Sequence, residues 1–262
     1  VTWKSYQEDI SGTYVPLGST NRYAPKHNPM VFFDDVTGTN NPAFPYGIAH
    51  IRPYSELATD LANNTVPRYC FITPNLCNDG HDPCPPQNDR IRQGDDWLAA
   101  EIPKIMNSAA YRNYGAIFIV WDEGLGSDGP IGMIVISRLA RGGGYFNNVR
   151  YTHSSFLRTM QDIFGVNQNY IRDAANASDL FDVFSGITFT PPTIVNGNSI
   201  RITATSLFPG KTHWLQSSAN LLTWTTISTN ILPLDATANT FQINDALPPA
   251  PATRFYRLLQ LP

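Results

Sequence analysis

Two stretches of the chain run from apolar residues straight into side chains able to hold a cation or a phosphoryl group. Residues 73–84, TPNLCNDGHDPC, carry Asp79, His81 and Asp82, and residues 117–124, IFIVWDEG, carry Asp122 and Glu123. In α/β proteins, ligands gather in the loops beyond the carboxyl ends of strands. So many carboxylates would repel an anionic substrate unless a cation stood between them. Metal-assisted hydrolysis of a phosphoester is the chemistry this pattern points to. Carboxylate oxygens suit Mg2+, Ca2+ and Mn2+, and Zn2+ or Fe as well when imidazole joins them. Neighbouring strand residues face opposite ways, so Asp122 and Glu123 can meet one ion only if the strand ends at Trp121. Gly124 and Gly126 permit that turn. A pair of solvated loop acids is the plain alternative.

Asp79, His81 and Asp82 alternate in a turn bracketed by Cys77 and Cys84. They can ligate a metal or touch a phosphoryl oxygen, or they can be an Asn-Asp-Gly turn with an exposed histidine. A Cys77–Cys84 bridge would close a small loop and stiffen it; zinc is the competing reading, though zinc motifs usually show CxxC spacing. Cys70, in the strand-like YCFIT, reads as a buried thiol or the partner of a cysteine outside this chain. A disulfide implies an exported protein. His27 in KHNPM reads by itself as an ordinary loop histidine. His153, in YTHSS, precedes a helix whose free N–H groups favour anions, which fits either a phosphate contact or a capping neighbour. Asp95 and Asp96 read as helix N-caps. There is no GxSxG elbow, P-loop, GxGxxG or HExxH, and the glycines at 142–144 precede no helix.

Helix-like and strand-like segments that could position these groups alternate up to about residue 186. Residues 3–9, 68–75, 115–123 and 132–138 read as strands, the third apolar on both faces and therefore central. Residues 55–61, 95–111 and 154–166 read as helices, the last stopped by Gly165. Strands separated by helices predict an α/β domain with a mostly parallel sheet over residues 1–186. A Pro- and Asn-Gly-rich linker follows at 187–198. Residues 199–262 alternate in short runs between turns and predict a small all-β sandwich, with Trp214, Trp224, Phe241, Phe255 and Tyr256 as its core.

The 18 basic and 21 acidic residues leave a net charge of −3, which gives no basic stripe for nucleic acid. No apolar run is long enough to span a bilayer. The chain opens at Val1 with no initiator methionine and no signal-peptide pattern, which reads as a processed or truncated end.

Six blocks in order, WKSYQED, KHNPM, RYCFITPNLCNDGHD with Cys84, GDDWLAAEIPKIMNS, GAIFIVWDEG and YTHSSFLRTMQDIFG, resemble the bacterial phosphoesterase family of acid phosphatases and phospholipase C enzymes within the alkaline-phosphatase-like superfamily. The resemblance covers about residues 1–170. It implies a metal-dependent phosphoester hydrolase, phosphomonoesterase before phospholipase C, secreted or periplasmic. By the same resemblance Asp122 and Glu123 fall on metal ligands, with Asp79 and Asp82 less securely so. His27, His81 and His153 fall on histidines around the phosphoryl group or metal. The β module resembles carboxyl-terminal modules of secreted bacterial enzymes. Family members begin with a strand, a metal ligand and a nucleophilic Ser or Thr before the WKSYQED block, and this chain starts at that block. The expectation is a cleaved amino-terminal fragment that stays bound, self-association through the exposed sheet edge, or a chain without activity. The rival expectation is a non-catalytic secreted protein that uses its β module for adhesion or assembly.

Overall fold

The computed structural model describes all residues except 125–128, 142–144, 167–168, 185–187, 206–211, 232–239, 249–252 and 261–262. Gly126, the glycines at 142–144 and parts of the expected linker and β module therefore lie outside the described residues. The chain divides into two compact units, Val1–Arg112 and Asn113–Pro262. The composition change near residue 186 falls inside the second unit.

The first unit contains β1 (Trp3–Gln7), α1 (Asp34–Thr37), α2 (Pro45–His50), β2 (Ile51–Pro53), α3 (Ser55–Ala62), β3 (Tyr69–Thr73), α4 (Arg90–Met106) and α5 (Ala109–Arg112). Its three strands form a parallel sheet in the order β2–β1–β3, with Ser5 beside Ile51 and Phe71. Parallel neighbours need long crossovers, and the helices between the strands supply them. Val15, Val31, Val36 and Ile51 make a buried apolar cluster against which Trp3, Ile10, Leu17, Met30 and Ile48 pack.

The alternation of WKSYQ sorts β1 into two kinds of face. Lys4 and Tyr6 share one, and both reach the Asp60 carboxylate on α3, Lys4 Nζ at 2.6 Å and Tyr6 through its hydroxyl. Ser5 and Gln7 share the other and are buried although polar, so their hydrogen bonds must be met internally. Ser5 Oγ donates to Asn28 Oδ1 at 3.1 Å, and Gln7 Nε2 donates to Ser5 Oγ at 2.9 Å and to Thr73 Oγ1 at 2.8 Å.

Helix α4 begins at Arg90, five residues before the expected start. Its N-cap is Asp89, whose carboxylate accepts the N–H groups of Ile91 and Arg92. Asp95 and Asp96 are thus interior helix residues, because Asp89 already satisfies the first free amides. Gly94 continues the helix where it passes the 75–84 loop: a Cβ there would stand 3.4 Å from the Asn78 carbonyl oxygen.

The second unit contains β4 (Ala116–Val120), β5 (Met133–Ser137), α6 (His153–Phe164), β6 (Thr188–Phe189), β7 (Thr193–Val195), β8 (Ser199–Thr205), β9 (Thr212–Ser218), β10 (Thr225–Ile231), β11 (Phe241–Ala246) and β12 (Phe255–Gln260). β4 pairs antiparallel with β5 and has no other strand beside it among the described residues. It is not the central strand of a mostly parallel sheet: among the described residues, parallel pairing is confined to β1, β2 and β3. Helix α6 packs Phe156 edge-on against Phe118 of β4, ring centroids 5.3 Å apart, and ends where Gly165 takes a left-handed φ of 62°, as the sequence predicts.

The later strands form two small antiparallel sheets, β10–β9–β12 and β11–β8–β6 with β7 also on β8. They do not make a clear sandwich. Part of residues 187–198 is itself strand, since β6 and β7 both pair with β8. Among the described residues of this module the buried apolar side chains are Ile202, Ala204 and Leu215, and none of the expected aromatic core residues is fully buried. On β9, Trp214 alternates away from the face shared by His213 and Leu215. Trp224 lies under the Arg257 guanidinium at 4.2 Å, and Phe255 is exposed.

Burial pushes the Asp60 carboxyl up, but hydrogen bonds from Lys4, Tyr6 and Thr65 outweigh it and leave Asp60 below its ordinary value. A carboxyl lowered on folding stabilises the fold above its unfolded value, and that stability disappears as pH falls through the folded one. Asp60→Asn is expected to cost about 1–3 kcal/mol at neutral pH by urea unfolding, with the gap to wild type closing in acid. Equal curves at pH 7 would show that the Lys4–Tyr6–Asp60 contact carries no stability.

Candidate active site

In the first unit the site loop leaves β3 at its carboxyl end, next to the end of β1. Asn75 starts it: its N–H donates to Glu8 Oε2 at 2.8 Å, and its Nδ2 donates to Asp9 Oδ2 at 2.7 Å. Its own Oδ1 accepts the N–H groups of Cys77 and Asn78, and its carbonyl accepts that of Asp79 at 3.0 Å. Cys77 and Cys84 are joined in a disulfide with Cα atoms 5.6 Å apart. Gln93 of α4 reaches across the loop, donating to the Cys77 and Asp82 carbonyls and accepting the Cys84 N–H at 2.9 Å. The loop is therefore held at both ends and across its middle.

Two pairs of candidate groups meet there. His27 Nδ1 stands 3.6 Å from Asp79 Oδ2, and His81 Nδ1 stands 2.9 Å from Asp82 Oδ1. His27 is held from behind by the buried polar chain: Gln7 donates to Thr73, Thr73 Oγ1 donates to the His27 carbonyl at 3.2 Å, and the neighbouring Asn28 accepts from Ser5 Oγ and donates its Nδ2 to the Tyr23 hydroxyl. His81 is exposed and Asp82 half-exposed, with side chains 72% and 49% accessible. Asp79 is largely shielded. Its Oδ1 accepts the His81 N–H at 2.9 Å, while its Oδ2 is buried with no hydrogen-bond partner among the described residues. Burial pushes the Asp79 carboxyl above its ordinary value, against the opposing pull of the His81 N–H and of His27.

In the second unit, β4 ends at Val120 and the chain bends at Asp122. Asp122 and Glu123 are both exposed. Gly124 passes close to its own chain: a Cβ there would lie 2.6 Å from the Gly129 carbonyl oxygen. His153 opens α6 and its Nε2 donates to the Asp122 carbonyl oxygen at 2.7 Å. Thr152 N–H donates to Ser155 Oγ at 3.1 Å, capping the helix beside it. Two residues earlier, Tyr151 donates its hydroxyl to Asp182, which also takes Asn147 and the Tyr145 hydroxyl. Asp182 thus anchors the approach to His153.

The groups present, carboxylate oxygen and imidazole nitrogen, suit a divalent cation, and Asp79 Oδ2, buried beside His27 without a hydrogen bond among the described residues, is one candidate acceptor. Yet no three Asp, Glu, His or Cys side chains gather as a metal-holding group among the described residues. The remaining cysteine, Cys70, is half-buried, donates to the Pro67 carbonyl oxygen, and has a thiol pushed up to about 12 by burial. It is poorly placed to act as a thiolate.

The site defines an α/β protein that offers carboxylate–imidazole pairs from a stapled loop at the carboxyl ends of parallel strands. A phosphoesterase family model matches residues 1–167, and the chain belongs to that family. It is 29% identical over 129 residues to a phosphate-repressible acid phosphatase of Penicillium chrysogenum and 30% identical over 135 residues to an acid phosphatase of Aspergillus fumigatus, each match covering 47% of the chain. A phosphatidylinositol-3-phosphatase of Mycobacterium tuberculosis is 28% identical over 184 residues, or 70% of the chain. The chain spans 29% and 27% of the length of the two fungal relatives and 54% of the mycobacterial one.

Sequence reasoning missed Glu8, Asn75 and Gln93, the residues that fix the loop. For two of them a local signal existed: Glu8 and Asp9 end the first strand-like segment, and Asn75 ends the second.

A carboxyl raised on folding destabilises the fold when ionised, so its cost is full above the folded value and vanishes as pH drops below the unfolded one. Asp79→Asn is expected to raise stability at neutral pH by about 1 kcal/mol. That gain should shrink in acid, with EDTA present throughout to exclude metal effects. A loss of stability at neutral pH would mean that Asp79 is a structural support.

Proposed function

We propose that the chain forms part of a phosphoester hydrolase of the acid phosphatase kind. The observation that carries this reading is the His27–Asp79 pair beside His81–Asp82 on a loop pinned by a disulfide, Gln93 and Glu8. In this reading His27, His81 and His153 touch phosphoryl oxygens or hand a proton to the leaving alcohol. The half-buried position of His27, with its backbone tied to Thr73, suits the more exacting of these tasks; the exposed His81 suits a contact made when substrate arrives. Asp122 and Glu123 are given to a divalent cation, Mg, Ca, Mn, Zn or Fe, with Asp79 and Asp82 as further candidate ligands. When bound, such an ion would offset negative charge on the phosphoryl oxygens.

Family membership and the acid phosphatase relatives support the reaction class. Monoesters are favoured as substrates, and the mycobacterial relative's name adds a lipid-borne phosphate to the candidates. The Cys77–Cys84 bridge supports an oxidising location outside the cytoplasm. Among the described residues no helix is long and apolar enough to cross a membrane.

Phosphate release from an aryl phosphate by the natural protein carrying this chain, with and without EDTA, tests the reading. Expected are turnover that EDTA suppresses and one of the five cations restores, and a loss of about 100-fold or more in Asp122→Asn/Glu123→Gln at unchanged circular dichroism. No turnover with any of the five cations would sink the proposal and leave the adhesion reading standing.

A further inference from the structure

We propose that Glu8 is the positioning residue of the 75–84 loop: its carboxylate decides where Asp79 and His81 stand. The inference rests on the reading of that loop as a hydrolytic site. Glu8 is the first residue beyond β1, and its N–H is fixed to the Thr73 carbonyl at 3.2 Å. Its side chain takes three donors from three different places. Oε2 accepts the Asn75 N–H at 2.8 Å, where the loop leaves β3, and Asn78 Nδ2 at 2.9 Å, within the loop. Oε1 accepts Trp97 Nε1 at 2.9 Å, from α4. Sheet, loop and helix are therefore referenced to a single carboxylate.

Among the described residues no other side chain bonds to all three. The disulfide closes the loop on itself but leaves its placement over the sheet open. Gln93 fastens the loop to α4, and Trp97, one helical turn further on, carries the tie from α4 to Glu8. From Glu8 to the active carboxylate the path is short: Glu8 holds Asn75, and the Asn75 carbonyl holds the Asp79 N–H at 3.0 Å. The Asp79 side chain then holds the His81 N–H. All three partners of Glu8 are donors, which an ionised carboxylate matches and an amide does not, because its NH2 would face a donor. Glu8 touches no reacting atom in this account and acts only through the loop.

The variants Glu8→Gln and Trp97→Phe in the natural protein test this, read by steady-state aryl phosphate hydrolysis and by the NMR amide signals of residues 75–81 with the Trp97 indole N–H. For Glu8→Gln, kcat should fall about tenfold with KM changed far less. The indole signal should move upfield, the loop amides should shift, and β1 and β3 amides should stay in place. Trp97→Phe, which leaves the carboxylate and two donors, should give a smaller kcat loss of the same kind, and it decides the matter if Glu8→Gln does not fold. Unchanged kcat in an active enzyme, or a kcat loss with loop amides unmoved, would overturn the proposal. Should the wild type release no phosphate, the functional reading fails by itself. The loop amides then judge Glu8 alone: displacement sustains its role, and wild-type positions refute it.

Discussion

One carboxylate at the end of the first strand holds the candidate site in register with the fold. Glu8 faces the amide that opens the 75–84 loop, an asparagine within it and an indole on the helix that closes over it. Charge-assisted hydrogen bonds are stronger than neutral ones and more directional than apolar contacts. Three of them converging from separate elements fix a loop that apolar packing alone would leave free to shift. The loop itself is poor in apolar residues, so it has little else to hold it.

Behind that lock lies a polar interior that would be costly if incomplete. Ser5, Gln7 and Asn28 are buried and Thr73 is half-buried, and each finds a partner in another. Such a network rigidifies when satisfied and destabilises when broken. Here its far end is the backbone of His27, so the same bonds that let polar groups sit inside the sheet also hold an imidazole at its rim. Asp79 completes the contrast: it is shielded, and one oxygen goes without a hydrogen bond.

Much of this was legible in the sequence, and what was not follows a rule. β1, β3, α3 and α6 announce themselves by local pattern, as do the Gly165 stop and the cysteine-bracketed turn. The early start of α4 was hidden because Asp89 and Asp95 offer the same capping chemistry, and only the fold shows which carboxylate meets free amides. The antiparallel pairing of β4 was hidden because an apolar run on both faces does not state its partners. Glu8 lies 67 residues from Asn75 and 89 from Trp97. Its role is a long-range contact with no local signature. The acids that did stand out, Asp122 and Glu123, were visible because a buried-looking strand ran directly into them.

Native-state hydrogen exchange at the Asn75 amide tests the lock most directly, because that single N–H donates to Glu8 and begins the loop. The account predicts protection comparable with the paired amides of β3, far beyond that of an exposed turn such as the one around Asn88. Exchange at the rate of an open loop would contradict it.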